Sequence, residues 1–382
     1  MEEGLDSVFE PEPWPLGVLT MIGNVLDRAV LRGMALAFES ALLRPGVARS
    51  RLRAAVAPYV SASLERDPHQ FFAFVDEEGG DGVHPHTESR RAFTGGTIVT
   101  CGFASHYAPF HRVVDAARCR ENETIWVEHW MHAGRGPRPT IVLLHGFTMG
   151  SPALDAHVMM AERWFELGLD VALVTLPHHG RRASARCRYS GELFASWHVG
   201  QLNEAVRQSV HDVHLVTRWL ARWRGGPVGI LGVSLGGYIA ALLAALRNDL
   251  AFVIPVVPAV RLADLPLRLL ARSRGGFEAP FTFEELEHAY RSHSPLAHPL
   301  RTPRERLLIV GGRGDAVTPV SHAHSLWRHW GRPKAVWFSG GHIVAFRRSQ
   351  VVNAIEAHFA ALGLLDVEPA AAATAAAGLC AA

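Results

Sequence analysis

Gly232-Val233-Ser234-Leu235-Gly236 reads G-x-S-x-G and lies between an apolar run, Pro227 to Val233, and a helix-like stretch, Gly236 to Leu246. That context matters more than the five letters. A serine at a sharp strand-to-helix turn is lifted clear of the sheet, and glycines two residues to either side let neighbouring backbone approach closely. The stretch therefore predicts an exposed, nucleophilic Ser234. A serine hydroxyl is a weak nucleophile by itself and needs a base, usually a histidine held in one tautomer by a carboxylate.

Candidates for both partners follow in the chain. Leu307 to Val310 reads as a buried strand, with Asp315 in the Gly-rich turn just past it. Lys334 to Phe338 reads as another strand, followed by Ser339-Gly340-Gly341-His342. Both residues thus fall beyond the C-terminal ends of strands, where ligands bind in open α/β sheets. Asp264 is a rival for the carboxylate, since it follows the preceding strand. Upstream, Thr140 to Leu144 is a buried strand that runs into His145-Gly146-Phe147-Thr148. A backbone N–H of that loop, with the N–H of Leu235, could hold the oxyanion of a tetrahedral intermediate.

From roughly Thr97 to Leu364 the chain resembles the α/β-hydrolase superfamily, with the order Ser, Asp, His. The resemblance implies Ser234 as nucleophile, His342 as general base and acid, Asp315 as its orienting carboxylate, and Phe147 and Leu235 as oxyanion donors. It gives His145 a supporting position. It identifies a superfamily and not a substrate; the apolar residues of 261–303 suggest a hydrophobic small-molecule ester, hence a serine hydrolase of carboxylesterase or lipase type, with thioesters and amides open to the same triad. Two other readings stay open: a hydrolase-like binding or scaffolding protein with a vestigial site, and a carbon–carbon bond hydrolase. No cofactor and no metal are implied.

The rest of the chain agrees with that class. Strand-like and helix-like stretches alternate from Thr97 onward, which predicts an α/β fold: a mostly parallel central sheet with helices on both faces. The expected organisation is a helical N-terminal extension over 1–95, a hydrolase domain over 96–364 and an Ala-rich disordered tail over 365–382. Residues 261–303, cut by Pro266, Pro280, Pro295 and Pro299 and carrying Phe277, Phe281, Phe283 and Tyr290, form a cap or lid in this reading. Leu16 to Leu43 reads as an amphipathic helix with Leu19, Ile22, Val25, Leu26, Ala29 and Val30 toward the core or a partner, and Asp27 and Arg28 as interruptions. A membrane surface or a second subunit is the other use of residues 16–43. Residues 76–95 read as loop.

Pro177-His178-His179-Gly180-Arg181-Arg182 follows a strand and so lies at the same sheet edge as Ser234. Its first reading is a turn that shapes the backbone, and its second is a substrate-binding wall formed by His178 and His179. Arg181 and Arg182 fit either a loop brace or an acidic substrate group. Metal binding needs a third placed ligand that the paired histidines lack.

Composition sets the outer bounds. The 382 residues carry 38 basic and 36 acidic side chains, a formal net charge of +2, which argues against nucleic acid as the main partner. Hydrophobic residues make up 48%, enough for a substantial core. Cys101, Cys119, Cys187 and Cys380 show no metal-like or framework spacing, which points to a reducing, cytoplasmic setting. The acidic start, Met1-Glu2-Glu3, is unlike a signal peptide, and no apolar run reaches the roughly 20 residues that span a bilayer.

Overall fold

Six parallel strands with an antiparallel ribbon at one edge form the centre of the molecule. The computed structural model describes residues 12, 14, 16–42, 54, 56–75, 84–111, 119–134, 136–194, 198–271, 279, 281–344 and 348–365. Residues 1–11, 13 and 15, residues 76–83, Trp197, Arg272, Arg274, Phe277, Pro280 and the residues from 366 on, with Cys380, lie outside them. The strands are β1 (His86–Phe93), β2 (Gly96–Ala104), β3 (Thr124–His132), β4 (Thr140–Leu144), β5 (Asp170–Val174), β6 (Val228–Val233), β7 (Val253–Val256), β8 (Leu308–Gly312) and β9 (Lys334–Phe338). Their spatial order is β1-β2-β3-β5-β4-β6-β7-β8-β9, antiparallel as far as the β3–β5 pair and parallel beyond it. The helices are α1 (Leu16–Leu42), α2 (Ala62–Arg66), α3 (Pro152–Val158), α4 (Ala161–Glu166), α5 (Val199–Arg224), α6 (Leu235–Leu246), α7 (Asp264–Leu270), α8 (Phe283–Ala289), α9 (Val320–His329) and α10 (Arg348–Ala361).

The parallel strands are apolar on both sides because helices cover both faces. Val142, Leu144, Ile230 and Ile309 join the cluster under α5 and α6. Ile141, Leu143, Leu231, Leu308 and Val310 join the opposite one, with Trp164 of α4 and Ile355 and Phe359 of α10. The chain leaves β4 for β5 on one side and returns to β6 on the other, so strand order reverses at β4. The crevice beyond the C-terminal ends of β4 and β6 is therefore the switch point at which ligands bind in such sheets.

Three local readings change. Residues 86–93 are a strand, not loop: His-Thr-Glu-Ser-Arg-Arg-Ala-Phe is exposed along nearly its whole length, so it has no apolar side to betray it. It is held through Glu88, which takes Arg181 in a two-pronged ion pair, while that guanidinium lies 3.7 Å over the Trp126 ring. Asp155 to Leu167, which reads as one helix in the sequence, belongs to two, α3 and α4, broken at Met160 with φ +59°.

The third change is α1. The helix exists, but its orientation is inverted: Met21, Ile22, Val25, Leu26 and Val30 are exposed, while Gly23, Asp27, Leu31 and Ala35 are buried at every fourth position. An apolar face predicts burial only where the fold offers it a surface, and here the helix meets α7 and the loops after β8 and β9 with its other, small-residue face. Residues 57–75 instead supply the apolar contact: Tyr59, Leu64, Phe71 and Phe72 enter the main core. Glu204 of α5 ties this region down, accepting from Tyr59 Oη at 2.6 Å, from Tyr107 Oη, and from the N–H groups of Phe110 and His111 at 3.0 and 3.1 Å.

Between β7 and β8 the interval 261–303 carries α7 and α8. Phe281, Leu286, Ala289 and Tyr290 are buried in the main core. Its second half is pinned to the helix after Ser234. His293 Nδ1 lies 2.5 Å from Tyr238 Oη, His293 Nε2 lies 3.0 Å from Asn203 Oδ1, and Asn203 Nδ2 donates to Ala289 O at 3.0 Å.

Burial leaves many of these histidines neutral. It holds His129 and His145 at about 4, and His178, His214 and His293 at about 3, with nearby charges adding smaller effects. The unfolded chain takes up protons near the ordinary value of about 6.5, and the folded chain only near 4 or 3. Stability present above pH 6.5 is thus lost as pH falls below it, at roughly 1 kcal/mol per pH unit for each such histidine. Urea unfolding at pH 7.5 and 5.5 checks this: stability is expected to be lower by several kcal/mol at 5.5, and an unchanged midpoint would contradict it.

Candidate active site

The β6–α6 junction is a backbone device for displaying one side chain. Ser234 adopts φ +56° and ψ −109°, a conformation costing of order 1–3 kcal/mol and held only where the surroundings impose it. Its N–H donates to Val256 O at 2.9 Å and its carbonyl accepts from Tyr238 N–H at 3.0 Å. The surrounding backbone leaves no room for side chains: a Cβ on Gly232 would sit 2.1 Å from Gly236 O, and one on Gly236 would sit 2.1 Å from Leu144 O. α6 then runs fully buried through Leu-Gly-Gly-Tyr-Ile-Ala-Ala-Leu-Leu-Ala-Ala-Leu, which fixes its first turn at the end of β6.

The structure brings Asp315 and His342 to this serine. His342 Nε2 is 2.9 Å from Ser234 Oγ, and His342 Nδ1 is 2.7 Å from Asp315 Oδ2. With Nδ1–H donating to the carboxylate, Nε2 is left to accept the serine proton. Asp315 is oriented in turn: Oδ1 accepts the N–H of Val317 at 2.9 Å and of Thr318 at 2.7 Å, and Thr318 Oγ1 lies 2.9 Å from Oδ2 and 3.1 Å from His342 Nδ1. Burial by itself would lower the pKa of His342. The charge of Asp315, its hydrogen bond and the charge of Asp27 outweigh that and hold the imidazole above its ordinary value.

Asp264 goes elsewhere. Its Oδ2 accepts from His322 Nε2–H at 2.9 Å, and the charge of His322 helps keep its carboxyl below the usual range. In this structure the carboxylate beside His342 is Asp315.

Gly146 lies against the elbow, its Cβ position 3.6 Å from Ser234 Cβ, so the loop from His145 to Thr148 crosses in front of the serine. Leu235 is the first residue of α6, where backbone N–H groups have no intrahelical partner. Leu235 and Phe147 thus flank Ser234 from two strand ends. His145 braces the loop: Nδ1–H donates to Gly146 O at 2.9 Å and Nε2 accepts from Leu176 N–H at 3.0 Å.

His178 and His179 lie inside the adjoining turn. His178 is buried with φ +62°. Its N–H donates to Asn122 Oδ1 at 2.8 Å, and its Nδ1 accepts from Asn122 Nδ2 at 2.8 Å. His179 is fully buried, donates through Nδ1 to Pro177 O at 2.8 Å, and packs beside Phe147 and Phe194. Their polar contacts are to the framework, where the sequence reading had offered a substrate wall. Arg182 is also fully buried, donating to Asp212 Oδ2 at 2.6 Å, Asn122 O at 2.9 Å and Thr175 O at 3.1 Å, so it braces a loop. Among the described residues no group of three or more histidine, cysteine or acidic side chains is placed to hold a metal ion.

Two residues of the site escape the sequence reading. Thr318 stands three residues past Asp315, and Asp-Ala-Val-Thr-Pro is a turn signature that could have flagged it. Asp27 of α1 is fully buried behind the two loops. Its Oδ2 accepts the N–H of His342 at 2.5 Å and of Ala316 at 3.0 Å, and its Oδ1 that of Ile343 at 3.1 Å. No local signal marks a contact that spans some three hundred residues.

The comparisons with known proteins agree with this architecture. The family described as Serine hydrolase (FSH1) matches residues 137–354, more than half of the chain. Two uncharacterised proteins of Mycobacterium tuberculosis, MT2702 and Rv2627c, are each 35% identical over 236 residues, 60% of this chain and 56% of theirs. The chain thus matches only a little over half the length of those relatives. An acetyl xylan esterase from Paenibacillus sp. R4 superposes with a TM-score of 0.56 at 13% identity, over 78% of this chain and 95% of the other. Acetyl xylan esterase 1 from Thermoanaerobacterium sp. JW/SL YS485 gives 0.53 at 15% identity, over 78% and 93%. At such identities the likeness is one of fold, and the fold is that of the α/β-hydrolases. With the family match covering the elbow and both partner loops, the chain belongs to the Serine hydrolase (FSH1) family.

Proposed function

We propose that the protein cleaves a carboxylic ester through an acyl-enzyme, with Ser234 as nucleophile, His342 as base and acid, and Asp315 as orienting carboxylate. The observation that carries this reading is the single imidazole placed 2.9 Å from Ser234 Oγ and 2.7 Å from Asp315 Oδ2. His342 Nε2 takes the hydroxyl proton as Oγ attacks the carbonyl carbon. The N–H groups of Leu235 and Phe147 receive the oxyanion, a stabilisation of about 3 kcal/mol for each well-placed donor. Collapse expels the alcohol, which takes the proton from Nε2. Water, deprotonated by the same nitrogen, then attacks the acyl carbon and frees Ser234.

The ester class is supported by the two solved neighbours, both named acetyl xylan esterases. The interval 261–303 serves in this reading as a wall of the acyl site. It opens beside the elbow, where Ala259 N–H donates to Ser234 O at 3.3 Å, and its α7 brings Leu265 and Leu267 against the core. The exposed apolar side of α1 would be the contact surface for a membrane or a subunit. Among the described residues no helix is long and apolar enough to cross a membrane.

Fluorophosphonate labelling tests the nucleophile directly, since Ser234 Oγ would displace fluoride from phosphorus. Wild-type protein is expected to label and Ser234→Ala is not. A folded wild type that stays unlabelled and leaves p-nitrophenyl acetate intact contradicts the proposal. Asp315→Asn is expected to lower kcat by about 10³–10⁴-fold by releasing the tautomer.

The pH dependence carries a sign. His342 must be neutral to act as base, and its pKa is raised, so the acid limb of kcat/KM for p-nitrophenyl acetate should fall above the ordinary histidine value of about 6.5. The rate should rise with pH through that limb and level off. A limb clearly below 6.5 would show that another group controls the step.

A further inference from the structure

α1 turns Gly23 and Asp27 toward the loops after β8 and β9, while its apolar stripe of Met21, Ile22, Val25 and Leu26 stays exposed. Three glycines bring its backbone against the loops after β8 and β9. A Cβ on Gly23 would lie 2.2 Å from Gly341 N, one on Gly314 2.2 Å from Thr20 O, and one on Gly341 2.5 Å from Asp27 Oδ2. Asn24 Nδ2 donates to Gly314 O at 2.9 Å, adding a second polar tie. At the centre of this contact Asp27 takes up three backbone N–H groups, one beside Asp315 and two at and after His342. A buried carboxylate is costly unless its oxygens are bonded, and removing its partners costs several kcal/mol. Among the described residues no cation is paired with it.

We propose that Asp27 is a positioning residue of the hydrolytic site: it locks the Asp315 and His342 loops in register from the N-terminal helix and sets a second negative charge behind the imidazole that must become positive during turnover. The proposal rests on the Ser234–His342–Asp315 reading. Clamping the N–H groups of Ala316, His342 and Ile343 to one carboxylate fixes the separation of the two loops, and with it the His342–Asp315 hydrogen bond. The charge then favours the imidazolium formed when His342 holds the serine proton.

Among the described residues, the groups facing His342 are Asp315 and Thr318 from the β8 loop, Asp27 from α1 and the Ser234 hydroxyl from the elbow. On the far side of the contact Glu12 lies 3.6 Å from Arg313 and accepts from Ser339 Oγ at 2.6 Å. His322 of α9 is engaged by Asp264, and Arg28 and Arg32 of α1 are exposed. The charges of Asp315 and Asp27 both raise the pKa of His342 against its burial.

The experiment is the pH profile of kcat/KM for p-nitrophenyl acetate in the full chain, comparing wild type, Asp27→Asn, Ser234→Ala and His342→Gln. Asp27→Asn keeps the shape, removes the charge and sets an amide against N–H donors. Its kcat should fall by ~10–100-fold, and its acid limb should move down by ~0.5–1 pH unit, as expected for loss of a nearby opposite charge. Fluorophosphonate labelling of Ser234 should slow in parallel. A wild-type rate and limb in Asp27→Asn, with Ser234→Ala and His342→Gln inactive, overturns this proposal and leaves the triad standing. Activity surviving in Ser234→Ala or His342→Gln overturns the triad itself. A lower rate with an unmoved limb marks a merely structural helix contact and also overturns the proposal. If Asp27→Asn does not fold, Gly23→Ala parts helix and loop without altering the carboxylate. The same two changes are then expected, and a wild-type profile would refute the role.

Discussion

A side chain can stand at the end of a buried parallel strand only if the backbone around it gives up side chains of its own. Around Ser234 that condition is met by Gly232, Gly236 and the β4 end, where carbonyl oxygens occupy the space that Cβ atoms would need. Everything else at the site is arranged about that point. The β4 loop passes in front of the serine, α6 starts immediately behind it, and β7 accepts its N–H through Val256 O. The positive φ of Ser234 is sustained because β4, β6, β7 and α6 are all buried and cannot yield independently.

Buried charge is the second organising element, and each instance is satisfied by backbone as much as by a counter-ion. Arg182 holds two carbonyls as well as Asp212, and Glu204 collects two N–H groups along with two tyrosine hydroxyls. Asp27 goes furthest: among the described residues its donors are backbone N–H groups. Such groups add little net stability over an apolar filling, but they demand one geometry, since a shifted loop strands a desolvated charge. They cluster where loops, rather than regular elements, must be held still.

The legibility of the chain follows from the range of its signals. The inner parallel strands are legible because burial on both sides writes a continuous apolar run, and Lys334–Phe338, a partly exposed strand at the sheet edge, has its expected bounds because Ala335 to Phe338 are apolar. Ser234, Asp315 and His342 each follow a strand end, and the fold brings the three together. β1 was missed because a strand exposed on both sides has no pattern to show. α1 carries two faces that periodicity alone does not rank: the apolar stripe is exposed, and the face of Gly23, Asp27, Leu31 and Ala35 meets α7 and glycine turns whose N–H groups need a partner. Asp27 looked like a flaw in that helix for the same reason. His178 and His179 looked available because chemistry can be read from residue type, whereas burial against Asn122 and Pro177 depends on the folded path.

The glycine-to-glycine contact between α1 and the loop carrying His342 bears on which substitutions the chain tolerates. Neither glycine can acquire a side chain while its counterpart stays in place, and Asp27 has no use without the loops it bonds. A change in either segment is therefore answerable to the other, although some three hundred residues of chain separate them.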